Sequence, residues 1–207
     1  MDMTASRGAD AVARTAARRL SAQDWAVAAL EALASGGLAA VAVERLAERL
    51  GATKGSFYWH FANRDALVRA ALEQWEQQHT AALIARAEEE ADPAEQLRAL
   101  FLAVFRDGGA GRVELALLAH VDDPVVGAAV ARVTERRTAY VAELYRRLGW
   151  RPDRARRRAV LAVSVHLGHL QLVRAAPGTL PDEGDGWTQH LADVLALLTA
   201  GDDGSPG

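Results

Sequence analysis

The sequence predicts an all-α protein. Apolar residues recur at intervals of three and four along most of the chain, which is the spacing of one helix face. No segment of useful length alternates apolar and polar residues with the period of two that indicates a half-buried strand. Proline and glycine separate the apolar stretches, as expected where helices begin and end. These three observations predict helices throughout.

The first predicted helix begins at Ser21 and acts as a scaffold. Ser21 and Asp24 have the spacing of a capping box, and Leu20 and Trp25 occupy the positions of a hydrophobic staple. The pair Gly36-Gly37 is expected to end this helix.

A helix–turn–helix is predicted over the segment VERLAERLGATKGSFYWHF, residues 43–61. Its first half has apolar residues at i, i+3, i+4 and i+7, and Gly51 offers a left-handed end to that helix. Thr53 is the candidate N-cap of a second, short helix in which Phe57 and Phe61 turn towards a shared core. The polar side chains of the second helix point outward, and such a helix fits the major groove of DNA. These outward residues are Lys54, Ser56, Tyr58 and His60.

A longer series of helices is expected after the motif. Asn63 caps a stretch that runs to about Ala91. Asp92 and Pro93 open the next helix, and Gly108-Gly109-Ala110-Gly111, which lacks the Lys-Ser/Thr of a phosphate loop, is interpreted as a turn. Helices are then predicted over 112–121, 124–148, 152–174 and 187–200, with a loop over 177–186.

The motif closely resembles the DNA-binding head of the TetR/AcrR family of bacterial transcriptional regulators. The resemblance is specific at TKGSFYWHF and the following Asn63, Arg64, Asp65, Ala66 and Leu67, and it extends from about Leu20 to Trp75. It implies a flexible arm over 1–18, a DNA-binding domain over 19–79 with its motif at about 42–61, a ligand-binding and dimerisation domain over 80–201, and a tail over 202–207.

By this resemblance the protein is a homodimeric regulator, most often a repressor, that binds double-stranded operator DNA and is released by a small hydrophobic or aromatic effector. An activator of the same fold remains an alternative. The dimer is expected through the last two helices, where a mixed apolar face comprises Val160, Val163, Leu167, Leu170, Leu191, Val194, Leu195 and Leu198. No cofactor, metal or catalytic residue is implied.

The resemblance also assigns roles to single residues of the motif. Thr53 and Lys54 would hold phosphates, and Gly55 and Ser56 would allow close approach to base edges. The remaining expected contacts are Tyr58 with a base or the backbone, Trp59 with DNA or the core, and Arg45, His60 and Arg64 with phosphates. Ala42 stands where the family usually has a Thr or Ser that caps the helix and touches a phosphate.

Aromatic and histidine side chains of the body are candidates for an effector pocket, although plain core packing is the alternative. These candidates are Trp75, His79, Phe101, Phe105, His120, Tyr140, His166 and His169. His166 and His169, three apart on one helix, could also form a packing or dimer contact, or hold a metal if a further ligand lay nearby. The arginine-rich run 146–158 is interpreted as a solvated face, with a second nucleic-acid contact as the alternative.

Composition limits the remaining function classes. The chain has 207 residues, no cysteine and a formal net charge of −3. Residues 1–66 hold eight basic and seven acidic residues, whereas the remainder holds sixteen and twenty, so a slightly positive head precedes an acidic body. Neither a signal peptide nor a membrane span is recognisable, and a cytoplasmic location is expected.

Two rival classes remain at this point. The acidic body argues against a non-specific DNA-organising protein. An enzyme would need a nucleophile–base or metal constellation, for which Ser164, His166 and His169 on one helix are the only hint. The first twenty residues contain four arginines, which form either a solvated tail or an arm that enters the minor groove.

Overall fold

The computed structural model describes residues 20–106, 108–181 and 184–199, and within these ranges it is all-α. The predicted arm and tail therefore lie outside the described residues. The helices are α1 Ala22–Ala40, α2 Val43–Leu50, α3 Lys54–Tyr58, α4 Arg64–Glu76, α5 Ala82–Ala87, α6 Pro93–Arg106, α7 Gly108–Leu118, α8 Pro124–Arg147, α9 Pro152–Ala175 and α10 Asp185–Thr199.

The capping box predicted at the start of α1 is confirmed. The backbone N–H of Asp24 donates to Ser21 Oγ at 3.2 Å, and the backbone N–H of Ser21 donates to an Asp24 carboxylate oxygen at 2.8 Å. The predicted end of this helix is wrong in detail, because Gly36 and Gly37 form a kink beyond which the helix continues to Ala40. Gly37 has a φ of +64°, a conformation that glycine adopts without strain.

The helix–turn–helix has the predicted bounds and caps. Gly51 ends α2 in the left-handed conformation, and Thr53 Oγ1 accepts a hydrogen bond from the backbone N–H of Ser56 at 3.2 Å. Phe57 is completely buried, with its ring edge-on to Trp25 at a centroid distance of 5.5 Å. Phe61 lies beyond the end of α3 but stacks on Phe57, so both rings reach the core as predicted.

The helix that follows the motif is interrupted by one π-helical turn. Asn63 caps α4 by accepting from the backbone N–H of Ala66 at 2.9 Å, and the helical path ends at Ala87, earlier than the predicted Ala91. Residues Gln77–Ala81 between α4 and α5 form the π turn. Such turns occur mainly as single bulges inside α-helices, frequently at functional sites.

The turn predicted at Gly108–Gly111 is wrong, because these residues form the start of α7. The reason is visible at Gly111, which is buried and faces α9. A Cβ on Gly111 would lie 2.7 Å from a methyl carbon of Leu170. The glycine therefore allows two helices to approach closely.

Two hydrophobic cores hold the molecule together. The first contains the buried residues of α1–α4, and it also takes in Leu117 of α7 together with Val126, Ala129 and Val133 of α8. The second lies among α5, α6, α8, α9 and α10 and surrounds Phe101, Tyr145 and Trp150. The head is consequently packed directly on α7 and α8 of the body.

The last three helices lie close to their predicted bounds, with α10 beginning two residues early and a 3-10 turn at Pro177–Thr179. A hydrogen bond joins α8 to α10: the Tyr145 hydroxyl donates to the Leu198 carbonyl at 2.6 Å. Within the described ranges, no helix combines the length and the apolar composition needed to cross a bilayer.

Candidate nucleic-acid interface and body cavity

The outer surface of α3 exposes two aromatic side chains. Trp59 is 87% exposed and Tyr58 is 63% exposed, the largest fractions among the big hydrophobic residues of the described chain. Gly55 and Ser56 lie on the first turn beside them, so the backbone there is accessible to a close partner. Aromatic side chains with a polar end are typical of contact surfaces.

Lys54 is held at the start of α3 by an ion pair with α2. Its Nζ lies 2.6 Å from Glu44 Oε1. The hydrogen bond and charge of Glu44 raise the pKa of Lys54, while the same hydrogen bond lowers the pKa of Glu44. Both side chains are exposed, so the pair is screened by water and readily exchanged for another partner. A phosphate group could therefore replace Glu44.

Two of the residues predicted to contact phosphates lie against backbone carbonyls of the head. His60 Nε2 lies 2.9 Å from the carbonyl oxygen of Leu20, and Arg45 donates to the carbonyl of Ala39 at 2.7 Å. These contacts join the α3 region and α2 to the two ends of α1. They give His60 and Arg45 a structural role that the sequence pattern did not reveal.

Arg64 likewise binds the turn between α1 and α2. Its Nε donates to the Val41 carbonyl at 2.8 Å, and its terminal nitrogen donates to the Leu38 carbonyl. Backbone carbonyls left free at a helix end need such donors. Arg64 therefore stabilises the position of α2 relative to α4, and its other terminal nitrogen lies 3.8 Å from Asp65 Oδ1.

A cavity lies in the body beside the π turn. The volume open to the centre of a water-sized sphere is about 50 Å³, and the walls are mostly apolar. Its lining residues are His79, Thr80, Leu83, Ile84, Leu100, Phe101, Val104, Arg137, Tyr140, Val141, Ala162, Val163 and His166. Four predicted pocket residues, His79, Phe101, Tyr140 and His166, are thus brought together.

One wall of the cavity carries a buried charge network. Arg137 donates to Glu114 Oε1 at 2.5 Å and to Thr80 Oγ1 at 2.9 Å, while His166 Nε2 lies 3.6 Å from Glu114 Oε2. Burial alone would raise the pKa of Glu114, but the nearby His166 and the charge and hydrogen bond of Arg137 lower it to about 2. Glu114 is therefore an ionised, paired carboxylate at neutral pH.

Comparison with known proteins identifies the head. Residues 27–71 match the sequence profile described as bacterial regulatory proteins, tetR family. The head is a TetR-family DNA-binding domain. The matched residues run from α1 to α4 and include the whole helix–turn–helix, so this part is the TetR-type DNA-binding domain.

Two curated TetR relatives are similar over the head. The regulator TtgR of Pseudomonas putida is 38% identical over 72 residues, which are 34% of each chain. The probable regulator ArpR of Pseudomonas putida has the same identity over the same length. The match thus spans about a third of the length of these curated relatives.

Solved structures extend the similarity to the whole TetR fold. A transcriptional regulator from Rhodococcus sp. Rha1 superimposes with a TM-score of 0.70 at 20% identity, covering 86% of this chain and 96% of that one. A TetR regulator from Legionella pneumophila gives 0.67 at 14% identity, covering 86% and 95%. At these identities the similarity shows the fold alone.

Two of the residues predicted for the effector pocket belong instead to the contact between the TetR head and the body. Trp75 is buried in the first core, beneath the guanidinium of Arg137. His120 lies against Gly37, and its Nδ1 is 2.8 Å from the Ala116 carbonyl. Both residues thus have the packing role that was the alternative, because a sequence pattern indicates the face of a helix but not the neighbour which that face meets.

Phe105 and His169 also lie away from the cavity lining. Their rings meet edge-on at a centroid distance of 5.0 Å, and His169 packs further on Trp187 and His190. Burial is the main cause that lowers the pKa of His169, and the charges of His190 and His166 lower it further. Among the described residues, no group of three or more acidic, cysteine or histidine side chains is placed to hold a metal ion.

The arginine-rich run 146–158 of the body contacts mainly other residues of the protein. Arg156 forms two hydrogen bonds with Glu135, and Arg157 pairs with Asp153. Arg154 and Arg158 lie over the ring of Trp150 at 5.3 and 5.5 Å. This arrangement agrees with the interpretation of a solvated, self-paired face.

Proposed function

We propose that this protein is a homodimeric transcriptional repressor that binds a palindromic operator and is released by a small molecule. The observation that carries the proposal is the surface of α3, where Lys54, Tyr58 and Trp59 are exposed on a capped helix that follows a glycine turn. The known proteins that it resembles are named as regulators, not as enzymes.

We assign the first turn of α3 to phosphate and base contacts. Thr53 and Lys54 would hold phosphates where the free N–H groups of the helix start point outward. Gly55 and Ser56 would allow close approach to bases, while Tyr58 and Trp59 would contact a base edge or the sugar-phosphate backbone. Arg45, His60 and Arg64 would contribute mainly by fixing the position of α3, with any phosphate contact secondary.

Dimerisation through α9 and α10 is supported by exposed apolar residues on both helices. Val160, Leu161, Leu172, Val173 and Leu197 are all at least 39% exposed. A Cβ added to Gly168 on α9 would meet no neighbouring heavy atom within 4 Å, so a partner helix could approach this glycine closely. Three residues of the predicted face, Leu170, Leu191 and Leu198, are instead buried within the protomer.

In a dimer, the distance between the two α3 helices would restrict which DNA sites are bound. Two α3 helices related by a twofold axis would need to lie about 34–36 Å apart to enter successive major grooves on one side of DNA. A ligand that alters this spacing weakens operator binding, and operator binding must weaken ligand binding equally. An activator would use the same contacts with a different effect on transcription.

The experiment that tests the proposal is affinity selection of fragments from the genome of the source organism, followed by competition against bulk DNA. We expect a small number of sites with an inverted repeat, bound at least roughly a thousandfold more tightly than bulk DNA at physiological salt. Equal affinity for selected and bulk fragments would instead identify a non-specific DNA-organising protein.

A further inference from the structure

We infer that the body cavity binds a compact, uncharged and mainly apolar molecule that carries a hydroxyl group. The inference rests on the ligand-responsive part of the proposed function and specifies the chemistry of the effector. It is based on three properties of the cavity: its apolar walls, two polar atoms without a hydrogen-bond partner among the described residues, and a buried ion pair between Arg137 and Glu114.

The walls of the cavity favour a ligand that is mainly apolar. Leu83, Ile84, Leu100, Phe101 and Val104 come from α5 and α6 on one side. Val141, Ala162 and Val163 come from α8 and α9 on the other. A polar or charged group placed against these side chains would lose its water without compensation.

Two buried polar atoms on residues that line the cavity lack a hydrogen-bond partner among the described residues. They are the hydroxyl of Tyr140 and Nδ1 of His166. Most buried polar atoms in proteins are hydrogen-bonded, and an unpaired one lowers stability. A ligand that reaches both atoms would therefore form two hydrogen bonds that the described residues do not provide.

The position of His166 indicates which ligand group fits. Nε2 of His166 faces the Glu114 carboxylate, which leaves Nδ1 as the ring atom open to a ligand. The Tyr140 hydroxyl can donate or accept. A ligand hydroxyl also does both, so it can pair with Nδ1 and with Tyr140, whereas a ketone or an ether can only accept.

The charge network disfavours an ionised ligand. Arg137 directs its donors to Thr80 Oγ1, the His79 carbonyl and Glu114. Glu114 is 6% exposed and balances the guanidinium charge. A ligand carboxylate would have to compete with Glu114 for Arg137 inside an apolar cavity, which would leave one carboxylate buried and unpaired.

The size of the cavity restricts the ligand to a compact one. The volume of about 50 Å³ open to the centre of a water-sized sphere is several times the roughly 10–15 Å³ that one water molecule needs. A single aromatic ring can enter with small shifts of the flexible side chains around it, whereas a multi-ring molecule would need the helices to separate.

Phenol, toluene and benzoate are matched probes, since they share one ring and differ in a hydroxyl, a methyl or a carboxylate group. Binding to the full-length protein is measured by isothermal titration calorimetry near neutral pH. We expect phenol to bind about tenfold more tightly than toluene and benzoate to bind most weakly, because hydrogen bonds add to the same apolar contact.

Two variants test whether the probes bind in the body cavity. Tyr140→Phe should reduce the phenol preference several-fold and leave toluene affinity unchanged, so toluene serves as the internal control for folding. Val104→Trp fills the cavity and should abolish binding of both probes while the thermal unfolding transition remains cooperative.

Several outcomes would overturn the inference. They are benzoate binding more tightly than phenol, equal affinity for phenol and toluene, no binding by any of the three, and undiminished phenol binding by Val104→Trp. None of these results depends on DNA, so selective operator binding by the same protein would leave the regulator proposal standing.

Discussion

The guanidinium of Arg137 lies over the indole ring of Trp75, 5.6 Å from its centroid. Trp75 is on α4 in the core of the DNA-binding head, whereas Arg137 is on α8 and lines the body cavity. The same guanidinium donates to Thr80 and to the His79 carbonyl in the π turn. One side chain thus contacts the cavity, the interrupted helix and the head, which is the position a coupling residue would occupy.

The hydrogen bond from Arg137 to the Thr80 hydroxyl should contribute measurably to stability. Thr80→Val keeps the shape but leaves Arg137 Nε without its acceptor, so we expect the free energy of unfolding to fall by about 1–3 kcal/mol. Thr199→Val is the matched control, since Thr199 is exposed and bonds only within its own helix. Urea denaturation of the two variants measures the difference, and equal effects would contradict the proposed role.

Gly37 is predicted to tolerate no side chain. Gly37→Ala would strain a φ of +64° and place a Cβ 2.6 Å from the ring of His120, so we expect a loss of more than about 1 kcal/mol. Gly51→Ala has the same φ in open space and isolates the strain. If the contact with His120 contributes, Gly37→Ala should be more destabilising than Gly51→Ala. Adding His120→Ala to Gly37→Ala should then remove this difference in thermal unfolding. No recovery would show that only backbone strain acts.

A hydroxyl at position 42 should stabilise the head. Ala42 is the N-cap of α2 and makes no side-chain capping bond. Ala42→Thr supplies one, with an expected gain of about 0.5–2 kcal/mol in the free energy of unfolding. Ala42→Val has the same branched shape without the hydroxyl, so it should give no gain. A stabilisation shared by both variants would point to packing instead.

Acidification should destabilise the body through His169. Its folded-state pKa lies below the ordinary value of 6.5, because burial and the neighbouring His190 and His166 disfavour its charged form. The unfolded chain therefore binds the proton more readily, and the contribution of His169 is present above pH 6.5 and is lost as the pH falls below that value. Thermal unfolding of His169→Phe should vary less with pH between about 7 and 5 than that of the parent protein; an identical pH dependence would contradict this prediction.

A second loss of stability is expected at lower pH. The pKa of Glu114 is lowered from 4.5 to about 2, so the stability it contributes is present above 4.5 and is lost as the pH falls through the interval towards 2. Glu114→Gln should weaken the protein at neutral pH, because it leaves Arg137 without its charged partner. The free energy of unfolding of this variant, measured by urea denaturation, should fall less between pH 4.5 and 2 than that of the parent protein. An equal fall would argue against this pairing.

Local features of the sequence predicted the head well. The caps formed by Ser21, Thr53 and Asn63 depend on residues within three positions of each other, and all three form as predicted. The carbonyl contacts of His60 and Arg64 span 40 and 23 residues, and a sequence pattern contains no information about such pairs. The sequence predicts phosphate contacts for these long polar side chains, and the structure adds contacts with backbone carbonyls that the pattern does not reveal.

The body was predicted less completely, because helix packing decides which side chains line the cavity. Tyr140 and His166 face it, while Phe105 and His169 meet each other beside α10. The glycines at the start of α7 were interpreted as a turn, since the close approach of Leu170 to Gly111 is a tertiary contact. The π turn has no sequence signature of its own.

The central claim is that α3 docks on operator DNA with Lys54 against a phosphate, and the salt dependence of binding tests it most directly. Operator affinity is measured over a range of salt concentrations for the parent protein, for Lys54→Ala and for Arg98→Ala. Arg98 is an exposed, ion-paired control on α6. Losing one phosphate contact per subunit should lower the log–log slope by roughly one per subunit, hence about two per dimer, for Lys54→Ala only. An unchanged slope for Lys54→Ala would contradict the docking of α3 on DNA.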